Sequence, residues 1–398
     1  MMVITVAEKK ELNGVKFIHT ADWHLGKLVQ GVYMTEDQRH VLEQIIEAVS
    51  REKPDAVIIA GDLYDRAVPP TEAVDLLNEA LERIVLRLGV PVLAIAGNHD
   101  SPDRLDFGTA LMREQGLHLV GRLRRDLAPA VLRDRHGEVH FHLVPYADPA
   151  LVRSELGAED IKTHDDAMKA IVDRIRENMD PAARHVFVGH AFVTPAGEAR
   201  ENTSDAERPL AVGGAEYVRA EYFQCFHYTA LGHLHQAHHV LQENIRYAGS
   251  PLKYSISEEH HHKGFYIVEL DGDGRAQAEK RSLIPLRDMR RVEMYIEDME
   301  KQETSDDYVY VTLLNENPVL FPMEKVRAVY PNALHVERKI VPLPQADGMS
   351  GAKGKRQMDR VSLFASFYRE VTGKEISAEK TQLFSEVLAE VLREEGEG

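Results

Sequence analysis

The chain has 398 residues, enough for two or three domains and at least one sizeable core. Its 43% hydrophobic content is that of a globular protein, and no apolar run is long enough to span a bilayer. A formal net charge of −17 argues against non-specific adhesion to nucleic acid or anionic lipid. It leaves room for a polyanionic substrate, because bound divalent ions add positive charge that a formula count omits. The N-terminus carries no signal-peptide core, and the single cysteine, Cys225, excludes an internal disulfide framework. A reducing, cytoplasmic setting is expected, with Cys225 as a core filler.

Residues 1–14 are polar after Val6 and read as an extension. The first strand is expected at 15–20 and ends in Ala21-Asp22-Trp23-His24. A helix follows over 36–52: Thr35 and Gln38 have capping-box spacing, and Val41, Leu42, Ile45 and Val49 form an apolar stripe. Val57-Ile58-Ile59-Ala60 is an unbroken apolar run, as expected of a parallel strand buried on both faces. Gly61 lets the backbone turn sharply at its end, and Asp62 emerges where open α/β sheets place their ligands. Pro69-Pro70-Thr71 opens a second helix with Val74, Leu77, Leu81, Ile84 and Leu88 on one face. A third strand at 91–96 ends in Gly97-Asn98-His99-Asp100.

This alternation of strand and helix is that of an α/β protein. Further strands are expected at 139–144, at 185–188 before Gly189-His190, and at 228–231 before Gly232-His233-Leu234-His235. Strands at 245–247 and 264–270 complete the domain, and the polar, glycine-bearing stretch 197–214 reads as a mobile loop. After about residue 286 the pattern changes. Strands at 292–296, 308–314 and 333–340 with a helix over 322–329 describe a small α+β domain. Residues 342–360 read as a linker. Two short helices follow, the second carrying Leu383, Phe384, Val387, Leu388, Val391 and Leu392 at helical spacing. So apolar a stripe either folds back onto the core or docks on another protein. The expected division is an extension (1–14), a main domain (15–285), a small domain (286–341), the linker (342–360) and the terminal helices (361–398).

Five of the expected strand ends carry Asp22 and His24, Asp62, Asn98 and His99, His190, and His233 and His235. Carboxylate, imidazole and amide oxygen suit Mn²⁺, Fe²⁺ or Zn²⁺. Without paired cysteines a structural zinc site is not expected. Asp-x-His and His-x-His can each offer two donors to one site, and Asp62, on the central strand, is the natural carboxylate to bridge two ions. Two ions roughly 3.5–4 Å apart activate the attacking water and stabilise both oxygens of an in-line displacement at phosphorus. In Asp62-x-x-Asp65-Arg66, Asp65 is placed to hold the His99 imidazole in one tautomer and Arg66 to grip a phosphate oxygen. His99 would then stabilise the transition state or protonate the leaving oxygen. Each piece alone is commoner as a turn or a satisfied core histidine; five together, each led by an apolar run, point to a metal site. His238, His239 and His260-His261-His262 lack this context and read as surface or supporting residues.

These blocks resemble the calcineurin-like metallophosphoesterases, whose pattern is Asp-x-His, Gly-Asp, Gly-Asn-His-Asp/Glu, Gly-His and Gly-His-x-His, in that order. The stretches Thr20-Ala21-Asp22-Trp23-His24-Leu25-Gly26 and Gly249-Ser250-Pro251-Leu252-Lys253-Tyr254 are more specific and look like the SbcD family of bacterial nucleases. The resemblance runs from about Lys16 to the C-terminus. It implies a sandwich of two mixed sheets flanked by helices, a small α+β capping domain that helps place DNA, and C-terminal helices. It implies one divalent ion held by Asp22, His24, Asp62 and His235, a second held by Asp62, Asn98, His190 and His233, and His99 as the catalytic histidine. The implied activity is Mn²⁺-dependent hydrolysis of DNA phosphodiesters in DNA repair and recombination. It would take the form of a 3′→5′ double-strand exonuclease and a single-strand or hairpin endonuclease. The terminal helices would bind the coiled coil of an SbcC-type ATPase. Two departures stand out: residues 1–14 precede the usual start, and some relatives carry His where Asp65 stands, so the Asp65–His99 pairing is borrowed from the phosphatase branch.

No Gly-x-x-x-x-Gly-Lys-Ser/Thr loop is present, and Gly351-Ala352-Lys353-Gly354-Lys355 misplaces the first glycine and the hydroxyl residue. Any ATP dependence would therefore come from a partner. Two other readings use the same residues: a phosphatase or small-molecule phosphodiesterase on the same metal core, and a non-enzymatic scaffold on a degenerate phosphoesterase fold. The capping-like domain and terminal helices weigh against the first, and the complete ligand set against the second. A homodimer is left open.

Overall fold

Period-two alternation builds the centre of the molecule. Along the strand Gly14–Thr20, Phe17 faces one way and Ile18 the other; along Ala56–Ala60, Ala56, Ile58 and Ala60 alternate with Val57 and Ile59. Both faces are apolar, so both must be covered. This computed structural model describes residues 3–4, 14–197, 204–207, 216–339 and 360–396. One sheet runs Ala276–Ser282, Gly264–Asp271, Gly14–Thr20, Ala56–Ala60, Val92–Ile95, Leu117–Val120, the last four strands parallel. The other runs Val3–Ile4, Ala130–Asp134, Gly137–Val144, Arg184–His190, Tyr228–Gly232, Gln242–Tyr247, His238–Val240, with a parallel centre. Val3–Ile4, inside the expected extension, is thus an edge strand.

The two sheets pack face to face through Phe17, Ile58, Ile95, Phe141, Val186, Val188 and Tyr228. Phe17 meets Phe141 edge-on, with ring centroids 5.6 Å apart. Helices cover the outer faces: Thr35–Glu52 and Thr71–Leu81 on the first sheet, His164–Glu177 on the second. The sandwich expected from the sequence is the fold the chain adopts.

Several local expectations are corrected. The helix Thr35–Glu52 begins without a side-chain cap, because Gln38 is buried and its amide is used elsewhere. The second helix buries Ala73, Leu76, Leu77 and Ala80 and leaves Val74 exposed, then widens into a π-helical turn at Glu82–Arg87 that buries Ile84 and Val85. Cys225 is exposed rather than a core filler, since it closes a short 3₁₀ turn, Ala220–Cys225, whose buried residues are Ala220 and Phe223.

The chain divides into two units, Met1–Arg290 and Arg291–Gly398. The second contains most of a three-stranded sheet, Met289–Met294, Tyr308–Leu313 and His335–Arg338, and the helix Pro322–Val329. Val309, Val311, Val326 and Tyr330 form its core. The helices Arg360–Thr372 and Ala378–Gly396 stack Phe364 on Phe384, with centroids 3.8 Å apart. The expected linker up to residue 359, with its near-miss glycine motif, lies outside the described residues. So do 198–203 and 208–214 of the expected loop and the Val391 and Leu392 side chains. No helix among the described residues is long and apolar enough to cross a membrane.

Candidate metal centre

The C-terminal ends of five strands, three from one sheet and two from the other, converge on one place. Pairing continues past the strand ends: the Asp22 N–H donates to the Gly61 carbonyl at 3.1 Å, and the His24 N–H to the Asp62 carbonyl at 2.9 Å. The His233 N–H donates to Asp22 Oδ1 at 2.9 Å and so ties the loop of one sheet to that of the other. The Asp100 carboxylate accepts the N–H groups of Leu63, Tyr64 and Gly97 at 2.9–3.0 Å, knotting the second loop to the third. Gln38 braces the first loop: its amide donates to the carbonyl of His24 at 2.7 Å and accepts the Gly26 N–H at 3.1 Å. Gly61 and Gly97 are required by close approach. A Cβ on Gly61 would lie 2.2 Å from His190 Nδ1, and one on Gly97 2.1 Å from Asp62 Oδ1.

Asp62 is the shared member of two groups whose donor atoms lie within 4.8 Å of one another: His24, Asp62 and His99, and Asp22, Asp62 and His190. The remaining expected ligands surround them. His235 Nε2 lies 3.1 Å from His24 Nε2, Asn98 Oδ1 lies 2.9 Å from His190 Nε2, and the His233 ring is 5.4 Å from that of His190. Asp22, His24, Asp62, His190, His233 and His235 are buried; Asn98 and His99 are half-buried. His190 gives its Nδ1–H to the Ala60 carbonyl at 3.0 Å, which leaves Nε2 directed at Asp62 Oδ2, 3.4 Å away. His99 meets the His24 ring edge-on, with centroids 4.7 Å apart, and gives its Nδ1–H to the Asp65 main-chain carbonyl at 2.8 Å. The expected Asp65–His99 pairing therefore runs through the peptide, while the Asp65 carboxylate pairs with Lys27 at 2.8 Å. Arg66 is exposed.

Electrostatics follow from this crowding. Burial opposes ionisation of Asp62, but the imidazoles of His190, His24 and His99 outweigh it and hold its carboxyl well below the usual range. Burial alone would lower His190; Asp62 beside it lifts it to about 9. Burial raises Asp22 to about 7, and burial with the Asp62 charge does the same for Asp100. Burial keeps His24 and His233 well below the usual imidazole value, hence neutral with a lone pair to offer. Asp22 Oδ2 and His24 Nδ1 are buried without a hydrogen-bond partner among the described residues. An anionic carboxylate beside the neutral imidazoles of His24 and His233, with buried donor atoms left unpartnered among the described residues, fits a divalent cation of the Mn²⁺, Fe²⁺ or Zn²⁺ kind.

Sequence reasoning passed over three buried or half-buried residues that touch His235. Glu258 accepts its Nδ1–H at 2.8 Å, Glu207 accepts its N–H at 2.7 Å, and Lys263 donates to its carbonyl at 2.9 Å. Glu258 follows the stretch starting at Gly249, but a single acid among exposed-looking histidines gave no periodic signal. His260 is indeed exposed, whereas His261 lies 3.4 Å from Lys263 Nζ.

The fold and this constellation define a calcineurin-like phosphoesterase: the family model described as calcineurin-like phosphoesterase matches residues 15–237. A second model, described as the type 5 capsule protein repressor C-terminal domain and named for SbcD, matches residues 285–372. The SbcD subunit of the nuclease SbcCD from Staphylococcus epidermidis is 30% identical over 389 residues, covering 96% of this chain and all of that one. The chain belongs to the SbcD family. Among solved structures, TT1561 of Thermus thermophilus aligns over 67% of this chain and 99% of its own at 11% identity and a TM-score of 0.37. GAP50 of Plasmodium aligns over 85% and 100%, at 11% identity and a TM-score of 0.40. Likenesses this loose carry no functional weight.

Proposed function

We propose that the chain is the nuclease subunit of an SbcCD-type complex, hydrolysing DNA phosphodiesters at a centre of two divalent ions. The observation that carries the proposal is Asp62, a buried carboxylate shared by two groups of convergent donors. In this reading Asp22, His24, Asp62 and His235 hold one ion and Asp62, Asn98, His190 and His233 the other. The hard oxygen and imidazole donors, with no thiolate among them, favour Mn²⁺. When bound, such ions supply an activated water and stabilise negative charge at phosphorus. His99, its Nδ1–H committed to the Asp65 carbonyl, presents Nε2 to the leaving oxygen as proton donor or charge stabiliser. The exposed Arg66 guanidinium grips a phosphate oxygen, and the Asp65 carboxylate, held by Lys27, lines the same rim.

Residues 15–285 act as the nuclease domain and 286–341 as the cap that helps place DNA. Residues 361–398 are the docking element for an SbcC-type ATPase. Phe367, Val371, Leu383 and Val387 on those helices are exposed, as a docking face requires. A homodimer would use a second exposed apolar face, formed by Val74, Leu86, Phe107 and Met112. A cytoplasmic setting suits the free thiol of Cys225.

The test is cleavage of an end-labelled DNA hairpin with Mn²⁺, by the chain alone and with an SbcC-type ATPase and ATP, beside hydrolysis of a small phosphodiester. DNA cleavage that strengthens with the partner is expected. Rapid hydrolysis of the small ester with intact DNA in both conditions would favour the small-molecule phosphodiesterase.

A further inference from the structure

The histidines of the centre are not supported alike. His190 and His99 give their Nδ1–H to main-chain carbonyls, which are neutral acceptors. His235 gives its Nδ1–H to a carboxylate, Glu258 Oε1, at 2.8 Å, with both side chains buried. That carboxylate is fixed from every side. It accepts from Ser204 Oγ at 2.6 Å, from the Tyr254 N–H at 3.2 Å and from Lys263 Nζ at 2.6 Å. Lys263 is tied in turn to Ser250 Oγ at 2.7 Å and to the His235 carbonyl at 2.9 Å. Glu207 accepts the His235 N–H. The His235 ring thus has one orientation, with Nε2 facing His24 Nε2 across the site.

A buried ion pair is a poor device for stability, since apolar residues of similar volume commonly serve the fold as well. It is an effective device for a ligand. A carboxylate on the far nitrogen fixes the tautomer, directs the near nitrogen and raises its basicity. We propose that Glu258, held in place by Lys263, is a positioning residue that tightens one of the two ions, the one His235 holds. The proposal rests on the two-ion reading above. The other ion, held in that reading by Asp62, Asn98, His190 and His233, has no such support among the described residues, so Glu258 makes the two sites unequal. Through Ser204 the same carboxylate also anchors the segment 204–207 beside the centre.

The experiment is a calorimetric Mn²⁺ titration of the full metal-free chain, with the unfolding midpoint measured alongside. The variants are Glu258→Gln, the paired Glu258→Leu/Lys263→Met, and His235→Ala. The paired variant removes both charges together, so it leaves no buried ion unpaired. It should fold and bind one ion about 10- to 100-fold more weakly, with the other ion within about twofold of wild type. Glu258→Gln keeps an acceptor for Nδ1 and should weaken the same ion by about three- to tenfold. Wild-type binding of both ions by the paired variant would overturn the proposal, as would equal weakening of both with a lowered midpoint. Should the paired variant not fold, Glu258→Gln decides by the same isotherm: selective weakening of one ion supports the proposal and a wild-type isotherm overturns it. If His235→Ala itself keeps both ions, the ligand reading has failed and the role of Glu258 falls with it. If His235→Ala loses an ion while the Glu258 variants do not, only the present inference is wrong.

Discussion

Asp62 occupies backbone that side chains other than glycine rarely adopt, at φ 48°, and so do Asp22 at 54°, His24 at 46° and His233 at 102°. Such conformations cost on the order of 1–3 kcal/mol each and persist only where the surroundings over-determine them. Here the Asp100 carboxylate, the main-chain hydrogen bonds from Asp22 to Gly61 and from His24 to Asp62, and the His233–Asp22 contact do so. Strain gathered on four expected ligands marks the place where geometry is used for chemistry. His99 stands apart from this group: it is half-buried and bonded to Asp65 through the peptide carbonyl. His99→Ala should therefore retain both ions and lose about 10²–10⁴ in cleavage rate. Metal content and single-turnover cleavage check both halves, and loss of metal in this variant would make His99 a ligand instead.

The elements that position the site were legible wherever one signal dominated. Val57 to Ala60 could only be a buried strand, and Gly61-Asp62 only its end, because an unbroken β-branched run has few other homes. Each of the five site-bearing strand ends was readable in this way. What was not legible was where a polar side chain spends its hydrogen bonds. Gln38 matches a capping box by spacing, yet its amide goes to Gly26, Trp23 and His24, contacts that exist only once the first loop has folded against the helix. Glu258 and Lys263 escaped notice for the same reason, since their partners lie across the tertiary structure. The exposed face of the second helix was misread because Ala73 and Ala80, small and unremarked in sequence, hold the buried positions instead of Val74. Gln38→Leu should leave these loop groups unpaired and cost about 1–3 kcal/mol, with weaker Mn²⁺ binding as the His24 loop loosens. Urea unfolding and metal titration measure the two effects, and an unchanged midpoint would show that Gln38 braces nothing.

At the scale of the molecule, two sheets that each bury both faces bring parallel strand ends from either side to a single centre. The same burial leaves other histidines neutral within the sandwich. His142, hydrogen-bonded through Nε2 to His185 at 3.0 Å, is held by burial, and by His185 beside it, down to about 3. Unfolded, it would titrate near 6.5. Between those values the unfolded chain binds the extra proton, so this contribution to stability is complete above pH 6.5 and is lost as pH falls. Asp22 and Asp100, raised to about 7 by burial, act in the opposite sense across the same range, so the histidine is best isolated by difference. Relative to wild type, His142→Phe should gain roughly 1 kcal/mol in unfolding free energy per unit of pH between 6.5 and 4. Denaturant titrations of the two chains at several pH values read this directly, and a pH-independent difference would place the His142 proton elsewhere.

The proposed two-ion centre around Asp62, gathered from five strand ends for the cleavage of DNA, stands or falls on the metal content of wild type and Asp62→Ala, measured as bound Mn²⁺ per chain with hairpin cleavage assayed on the same samples. Wild type should hold about two ions and cleave, and Asp62→Ala should lose both ions and cleavage. Two ions retained by Asp62→Ala with undiminished cleavage would rule out Asp62 as the shared ligand.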